Sequence, residues 1–290
     1  MTIVAWFADE PDADAVGALP AGVRVVAEPG PDVTFVVPSW GKVPDLGALL
    51  ALEVVQVRSA GVDWIARDVP AGVTLCSARG ARDGGMAEWV VAALLADRKR
   101  LGEMARAIEW RALPIGDLRG MRVLILGHGS IGRATERLLA PFGCEVVGVA
   151  RRARDRVHAM DDLDGLLGDA DAVVNLLPLT DGTRGLVDAR RLARMREGTL
   201  YVNAGRGATT DTEALVAELG AGRLRAVLDV VDPEPLPDGH PLWELPNALI
   251  SPHVAGDTPE GEREAWRLVG EQLRRHVAGE ALANVVADGY

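Results

Sequence analysis

RVLILGHGSIGRATERLL, residues 122–139, changes its hydrophobic period part-way along. Val123 to Leu126 is an unbroken apolar run, as in a short strand covered on both faces. Ile131, Ala134, Leu138 and Leu139 then recur at helical spacing. Gly127, Gly129 and Gly132 occupy the change-over. In that setting the first glycine makes the tight turn, the second lets a pyrophosphate approach the main chain, and the third lets helix pack on strand. The helix opens at Ser130 and Ile131, whose N–H groups suit phosphate oxygens. A tight glycine turn without a ligand has the same spacing. The strand before it and the helix after it favour a dinucleotide site.

On both sides of this stretch, short β-rich runs alternate with helical ones, the signature of parallel sheets with crossover helices. Upstream, TIVAWFA, VTFVVP, EVVQVRSAG and VTLCSA predict a small flavodoxin-like sheet. Met86–Leu101, MAEWVVAALLADRKRL, predicts a helix ending in basic residues that suit a helix C-terminus. Downstream, EVVGVA, ADAVVNLLPL, GTLYVNAGRG, DTEALVAELGAG, AVLDV and NALISPHVAG continue the alternation. TPEGEREAWRLVGEQLRRHVAG predicts a further amphipathic helix, with Thr258 as cap and Pro259 at its first position. One helix leads into the second sheet and one leads out, so the first domain is discontinuous. The reading is α/β, with two doubly wound parallel-sheet domains. A flavodoxin-like substrate domain takes residues 1–90 and 260–290, and a Rossmann cofactor domain takes residues 91–259.

A chain of 290 residues is long enough for two such cores. The net charge of −11 argues against nucleic acid or an anionic membrane surface as partner. An anionic small substrate would need a local positive pocket. MTIVAWFADE is interrupted by acids and lacks a basic flank, so it reads as a first strand and not as a signal peptide. No apolar run approaches the roughly 20 residues of a membrane span. Cys76 and Cys144 have no metal-ligand spacing and apolar neighbours, so both are expected to be buried and no metal is expected. A reduced, cytoplasmic protein is the expectation.

The polar residues of interest follow apolar strands. Asn203–Gly207, NAGRG, follows GTLYV; DPEPLP follows AVLDV; SPHVAG follows ALI. In an open parallel sheet these positions share the carboxyl edge with the glycine turn. Arg206, Glu234 and His253 should therefore face one crevice beside a bound nicotinamide. A ketone accepts hydride more readily when a cation polarises its oxygen and an acid protonates the developing alkoxide. His253 suits the acid, with Glu234 as the carboxylate that orients the ring and favours its charged form. Arg206 suits the cation, gripping a substrate carboxylate through its planar fork. Singly, each has an ordinary alternative: a loop cap for Arg206, an exposed turn residue for Glu234, a satisfied strand-end histidine for His253. Their common edge above a nucleotide site favours the catalytic reading.

With these residues the chain resembles the D-isomer-specific 2-hydroxyacid dehydrogenases, from about SAGVDWI to SPHVAG. GHGSIG, VNAGRG, LDVVDPEPLPDGHPLWELPN and SPHVAG stand in that family's order and spacing. The resemblance implies that Arg206, Glu234 and His253 are the catalytic set. It implies that Ser59, Ala60, Gly61 and Val62 hold the substrate carboxylate by their N–H groups; alone, SAGVD reads as a glycine turn after a strand. It places Ser130 and Ile131 at the pyrophosphate, and Leu177, Pro178 and Thr183 near the adenosine. Ala204 and Asp229 fall near the nicotinamide amide, with Ala255 and Gly256 lining the same end. Leu177 and Pro178 otherwise read as a plain strand exit, and Asp229, ending an apolar strand, needs a partner in either case. A small 2-oxo or 2-hydroxy acid is the implied substrate, as in glyoxylate/hydroxypyruvate reductases, and a homodimer built on the cofactor domain is the implied assembly. The segment from Leu101 to Arg119 is shorter than the family pattern. A catalytically weak NAD(P)-sensing regulatory protein on the same fold is the alternative. Glu234 disfavours formate-type chemistry, whose enzymes carry Gln there. Trp6, Trp40 and Trp64 are candidates for the substrate pocket, although Trp more often packs in a core.

VVGVARRARDR, residues 146–156, departs from the NAD pattern. The acidic position that would hold the ribose hydroxyls falls on Ala150, and Arg151 and Arg152 follow it. Lys occurs only at Lys42 and Lys99, so Arg enrichment alone carries little weight. The position of the cluster and the missing acid together favour a 2′-phosphate contact, with Arg152 or Arg154 covering its far side. NADP is the preferred cofactor on this reading, with NAD as the alternative.

Overall fold

In the computed structural model, which describes residues 2–287, every strand pairs in parallel with its sheet neighbours. The chain divides into two units, Met1–Asp83 with Asp257–Tyr290, and Gly84–Gly256. In the first, β1 (Ile3–Phe7), α1 (Ala13–Val16), β2 (Val23–Val26), β3 (Phe35–Val37), β4 (Val54–Gln56) and β5 (Thr74–Cys76) follow in turn. The sheet order β2-β1-β3-β4-β5 is that of a flavodoxin-like fold. Alternate residues of β1 serve opposite faces: Ile3 and Ala5 join Phe35, Val37 and Cys76, while Val4 joins Val36, Val55 and Ile65.

The second unit holds α2 (Asp83–Arg98), α3 (Leu101–Arg106), β6 (Arg122–Leu126), α4 (Ser130–Leu139), β7 (Glu145–Ala150) and β8 (Val157–Ala159). It continues through α5 (Leu163–Leu166), β9 (Ala172–Asn175), α6 (Ala189–Arg194), β10 (Leu200–Asn203), α7 (Thr212–Gly220), β11 (Arg225–Leu228) and β12 (Ala248–Ile250). The sheet order is β12-β11-β10-β9-β6-β7-β8. The winding reverses between β6 and β9, which opens a crevice at their carboxyl ends. The final helix, α8 (Pro259–Ala278), returns to the first unit and gives Trp266, Val269 and Leu273 to its core.

Each sheet has one strand more than the apolar runs predicted, β2 and β8, both at edges. An edge strand is covered on fewer sides and need not be apolar throughout; Arg24 and Val25 of β2 are exposed. The units divide at 83/84 and 256/257, against the 90/91 and 259/260 drawn from the sequence. The earlier first boundary follows from α2, whose Met86 and Trp89 already pack with Val123, Ile125 and Val174 of the seven-stranded sheet. That helix begins three residues earlier than expected and stops at Arg98, because Arg100 adopts a left-handed conformation (φ +56°) before α3 starts. The start of α8 is as read: Thr258 Oγ1 accepts the N–H of Gly261 at 3.0 Å, with Pro259 in the first turn.

Both chain crossings between the units are flanked by one ion network. Arg82 pairs with Asp257 and with Glu262, and Glu262 also receives Arg58. Arg58 lies over the Trp266 ring and pairs with Asp9, while burial pushes its guanidinium below the usual range. Cys76 is buried as expected; Cys144 is only partly so, because it precedes β7 at the unit's surface, and both are free thiols. No described helix is long and apolar enough to cross a membrane.

Candidate active site

The carboxyl ends of β12, β11, β10, β9, β6 and β7 lie in that order along one edge. His253, Glu234, Arg206, Leu177, Gly127 and Arg151 each follow one of these ends within a few residues. At the glycine turn, Gly127 has φ +92°, a conformation costly for any side chain-bearing residue. A Cβ on Gly132 would approach the Gly127 carbonyl to 2.9 Å, so helix and turn are in contact there. A Cβ on Gly129 would meet nothing within 4 Å, and α4 begins at that point without a side-chain cap. Open space in front of uncapped helix N–H groups fits a pyrophosphate.

Past β7, Arg151, Arg152, Arg154 and Arg156 are all exposed. Arg154 is committed inward, donating to the carbonyl of His128 in the glycine turn. Arg151 and Arg152 have no hydrogen-bonding or ion-pair partner among the described residues. Two unneutralised guanidinium groups beside the second strand suit an added phosphate. The Leu177–Thr183 segment is self-supporting: Thr183 Oγ1 donates to the Pro178 carbonyl at 2.6 Å and accepts the N–H of Thr180 at 2.8 Å. Ala204 is buried, its N–H donating to the Asn175 carbonyl at 3.1 Å.

Asp229 has the partners that its buried position demands. Its carboxylate accepts the Ser251 hydroxyl at 2.5 Å and the N–H groups of Val254 and Ala255 at 2.9 and 3.0 Å. The loop thus held carries His253, which has φ +56° and whose N–H donates to the Asp229 carbonyl at 2.8 Å. His253 Nδ1 donates to Glu234 Oε1 at 2.5 Å. A carboxylate can only accept, so Nδ1 carries hydrogen and Nε2 is the nitrogen open to a ligand. Both side chains remain about half exposed (47% and 38%), as accessible groups must be to meet a substrate. Glu234 stands between Pro233 and Pro235, each preceded by a cis peptide bond. Arg206 is half-buried and donates from Nη1 to the Gly205 carbonyl at 2.8 Å, among its contacts.

In the five-stranded unit, the Ser59–Val62 loop follows β4. Ser59 Oγ donates to the Gly61 carbonyl at 2.6 Å and accepts the Trp64 indole N–H at 3.1 Å. The N–H groups of Ala60, Gly61 and Val62 meet no acceptor among the described residues, which fits an anion cradle. Trp64 lies against Trp40, which is exposed, with ring centroids 5.7 Å apart. Trp6 instead bonds the Ala27 carbonyl at 3.3 Å through its indole.

The sequence pattern of "D-isomer specific 2-hydroxyacid dehydrogenase, NAD binding domain" matches residues 89–255. The chain belongs to the D-isomer-specific 2-hydroxyacid dehydrogenase family. Among relatives of known sequence, a glyoxylate reductase of Thermofilum pendens is 32% identical over 249 residues, 79% of this chain and 73% of that one. A D-isomer-specific 2-hydroxyacid dehydrogenase of Xanthobacter autotrophicus Py2, solved with NADPH and MES, covers all of both chains at 31% identity and TM-score 0.87. An NADPH-dependent glyoxylate/hydroxypyruvate reductase of Sinorhizobium meliloti, solved with NADP and sulfate, covers both fully at 29% and 0.86. Like the other dehydrogenases of the family, this chain is an oxidoreductase.

Around the family's motifs the structure adds residues that the sequence reading passed over. Ser251 binds the Asp229 carboxylate, and Asn175, Tyr201, Thr209 and Thr210 form a buried polar group beneath the Arg206 loop. One signal was available: β9 and β10 both end in Asn, and the two are register partners.

Proposed function

We propose that this 2-hydroxyacid dehydrogenase reduces a small 2-oxo acid to the D-2-hydroxy acid, with NADPH preferred over NADH. The observation that carries the reading is the 2.5 Å hydrogen bond between Glu234 and His253 on the edge that also bears the glycine turn and Arg206. When bound, the reduced nicotinamide supplies a hydride to the carbonyl carbon. His253 then delivers the proton from Nε2 to the developing alkoxide, since Nδ1 is engaged by Glu234. Arg206 grips the carboxylate and draws electron density toward the carbonyl oxygen. In the five-stranded unit, the N–H groups of Ala60, Gly61 and Val62 form a cradle suited to a carboxylate, which supports reading that unit as the substrate domain and the seven-stranded unit, with the glycine turn, as the cofactor domain.

The glycine turn and the N-terminus of α4 receive the pyrophosphate, and the unpaired Arg151 and Arg152 receive the 2′-phosphate. The Xanthobacter and Sinorhizobium structures, with NADPH and NADP bound, support that choice. We propose a cytoplasmic homodimer; Ile108 and Trp110, wholly exposed on the segment after α3, supply apolar surface for a second copy to cover. Steady-state rates with glyoxylate, hydroxypyruvate, pyruvate and phenylpyruvate, each with NADPH and NADH, test the reading. Turnover of at least one acid with NADPH favoured is the expected result. No turnover, with cofactor binding intact, would turn the assignment toward a nucleotide-sensing protein.

A further inference from the structure

The seven-stranded sheet is apolar along most of its length but strongly polar at two strand ends. Asn175 closes β9 and Asn203 closes β10, side by side, with Tyr201, Thr209 and Thr210 between and around them; all five are buried. Such a group is costly unless its donors and acceptors are matched. Here the protons can be assigned. Asn175 Oδ1 accepts the N–H of Leu177 and Asn203 Oδ1 that of Gly205, both at 3.1 Å, which turns each amide nitrogen toward the hydroxyls. Asn175 Nδ2 donates to the Tyr201 hydroxyl and to Thr209 Oγ1, both at 2.8 Å. Tyr201 must then donate onward, to Thr210 Oγ1 at 2.6 Å, and Thr209 donates to the carbonyl of Arg206 at 2.6 Å. Asn203 Nδ2 reaches the same carbonyl and Thr210 Oγ1, both at 3.3 Å. Burial pushes the Tyr201 hydroxyl up to about 12, so the chain of donors stays intact at neutral pH.

The chain of donors ends on a loop with little freedom. A Cβ on Gly207 would meet the Val231 carbonyl at 1.8 Å, and one on Gly205 would meet the Leu177 carbonyl at 2.6 Å. Arg206 thus stands between two glycines wedged against the exits of β11 and β9. We propose that Thr209, backed by Asn175 and Tyr201, is a positioning residue for Arg206, its hydroxyl fixing the Arg206 carbonyl and so the line along which the guanidinium leaves the loop. The proposal rests on Arg206 being the substrate-gripping residue. A sheet needing only stability would be served by apolar side chains at these positions, at no desolvation cost.

Thr209→Val keeps the shape and removes the hydroxyl; Thr209→Ser keeps the hydroxyl. Both are compared with wild type by glyoxylate reduction with NADPH, by NADPH fluorescence titration, and by amide hydrogen exchange in peptides covering residues 204–210. For Thr209→Val, kcat/KM should fall about 10- to 100-fold, largely through KM, with NADPH affinity within about twofold. Exchange at 204–210 should quicken. Thr209→Ser should match wild type in all three. Wild-type behaviour of the Val variant overturns the proposal, and so do equal losses in both variants, which would trace the effect to packing. If wild type reduces none of the four 2-oxo acids, the functional reading fails, and the exchange data alone judge the proposal. Faster exchange in Val but not in Ser then supports it, and no difference overturns it. Should Thr209→Val not fold, Thr209→Ala, which differs from Thr209→Ser by the hydroxyl alone, replaces it with the same expected outcome.

Discussion

Asp229 holds His253 through the main chain and leaves the imidazole to another acid. Its carbonyl accepts the His253 N–H, while its carboxylate fastens Ser251, Val254 and Ala255 on either side. Glu234 takes the ring. One carboxylate thus fixes the backbone of the loop and a second fixes the orientation of the side chain. The division is needed because His253 is left-handed, a conformation that costs an L-residue about 1–2 kcal/mol and persists only when its surroundings enforce it.

Asp229→Asn should therefore loosen the loop while sparing the rest of the sheet. An amide can accept on one side only, so at least one of the three donors loses its partner. A loss of about 1.5–3 kcal/mol in urea unfolding is expected, the range for hydrogen bonds to charged groups. Full retention of stability would mean that the 251–255 loop is held by packing instead.

His253→Asn separates chemistry from backbone strain, because Asn also tolerates the left-handed region. Its thermal midpoint should stay near that of wild type, while the rate of 2-oxo acid reduction falls about 10²-fold or more, the contribution of a positioned general acid. Stopped-flow measurement of NADPH oxidation in a single turnover checks this directly. An unaltered rate would remove His253 from the proton transfer.

Arg151 and Arg152 should be dispensable for folding and decisive for cofactor choice. The Arg151→Ala, Arg152→Ala double variant is expected to lose about 30- to 150-fold in the NADPH-to-NADH ratio of kcat/KM, from charge-assisted bonds partly screened by solvent. Arg154, already bonded to the glycine turn, should behave differently: Arg154→Ala should weaken both cofactors alike. A ratio unchanged in the double variant would return both arginines to solvent.

Acid stability should carry the mark of Asp164, whose carboxyl is held down at about 2, below its ordinary 3.8, by hydrogen bonds from Arg190 and Arg191. A depressed carboxylate stabilises the fold fully above the unfolded value of 3.8 and ceases to do so as pH falls through about 2. The group is partly exposed, so its contribution is below about 1 kcal/mol. Urea midpoints for wild type and Asp164→Asn should differ most at pH 5 and above, and converge as the pH is lowered through 4 and 3. A difference that grew on acidification would contradict this sign.

Much of the frame could be read from the sequence because it rests on periodicity and on residues with one physical use. The glycine turn, the Thr258 cap and the common edge for Arg206, Glu234 and His253 are of that kind. Residues 23–26 were missed because VRVV lies at a sheet edge, where one side needs no apolar cover. The left-handed turn at His253 was invisible for another reason: the bonds that enforce it come from Asp229, more than twenty residues earlier in the chain. Tyr201 was read as part of an apolar strand, since its hydroxyl partners lie on β9 and beyond β10. Local pattern reports what a residue does to its own segment and says little of what distant segments do to it.

The return of α8 to the five-stranded unit has a consequence for how the molecule is made. Strands β1 to β5 leave the ribosome before the seven-stranded unit, yet the face bearing Ile3, Phe35, Val37 and Cys76 has only α1, with Val16, to help cover it until Trp266, Val269 and Leu273 have been synthesised. Gln56 likewise waits for Gln272, which donates to it at 2.8 Å. The seven-stranded unit needs nothing from beyond residue 256 for its own sheet and can fold meanwhile. The part begun earliest is finished last, and for the whole of that interval its apolar strands are the nascent chain's exposure to aggregation and its claim on a chaperone.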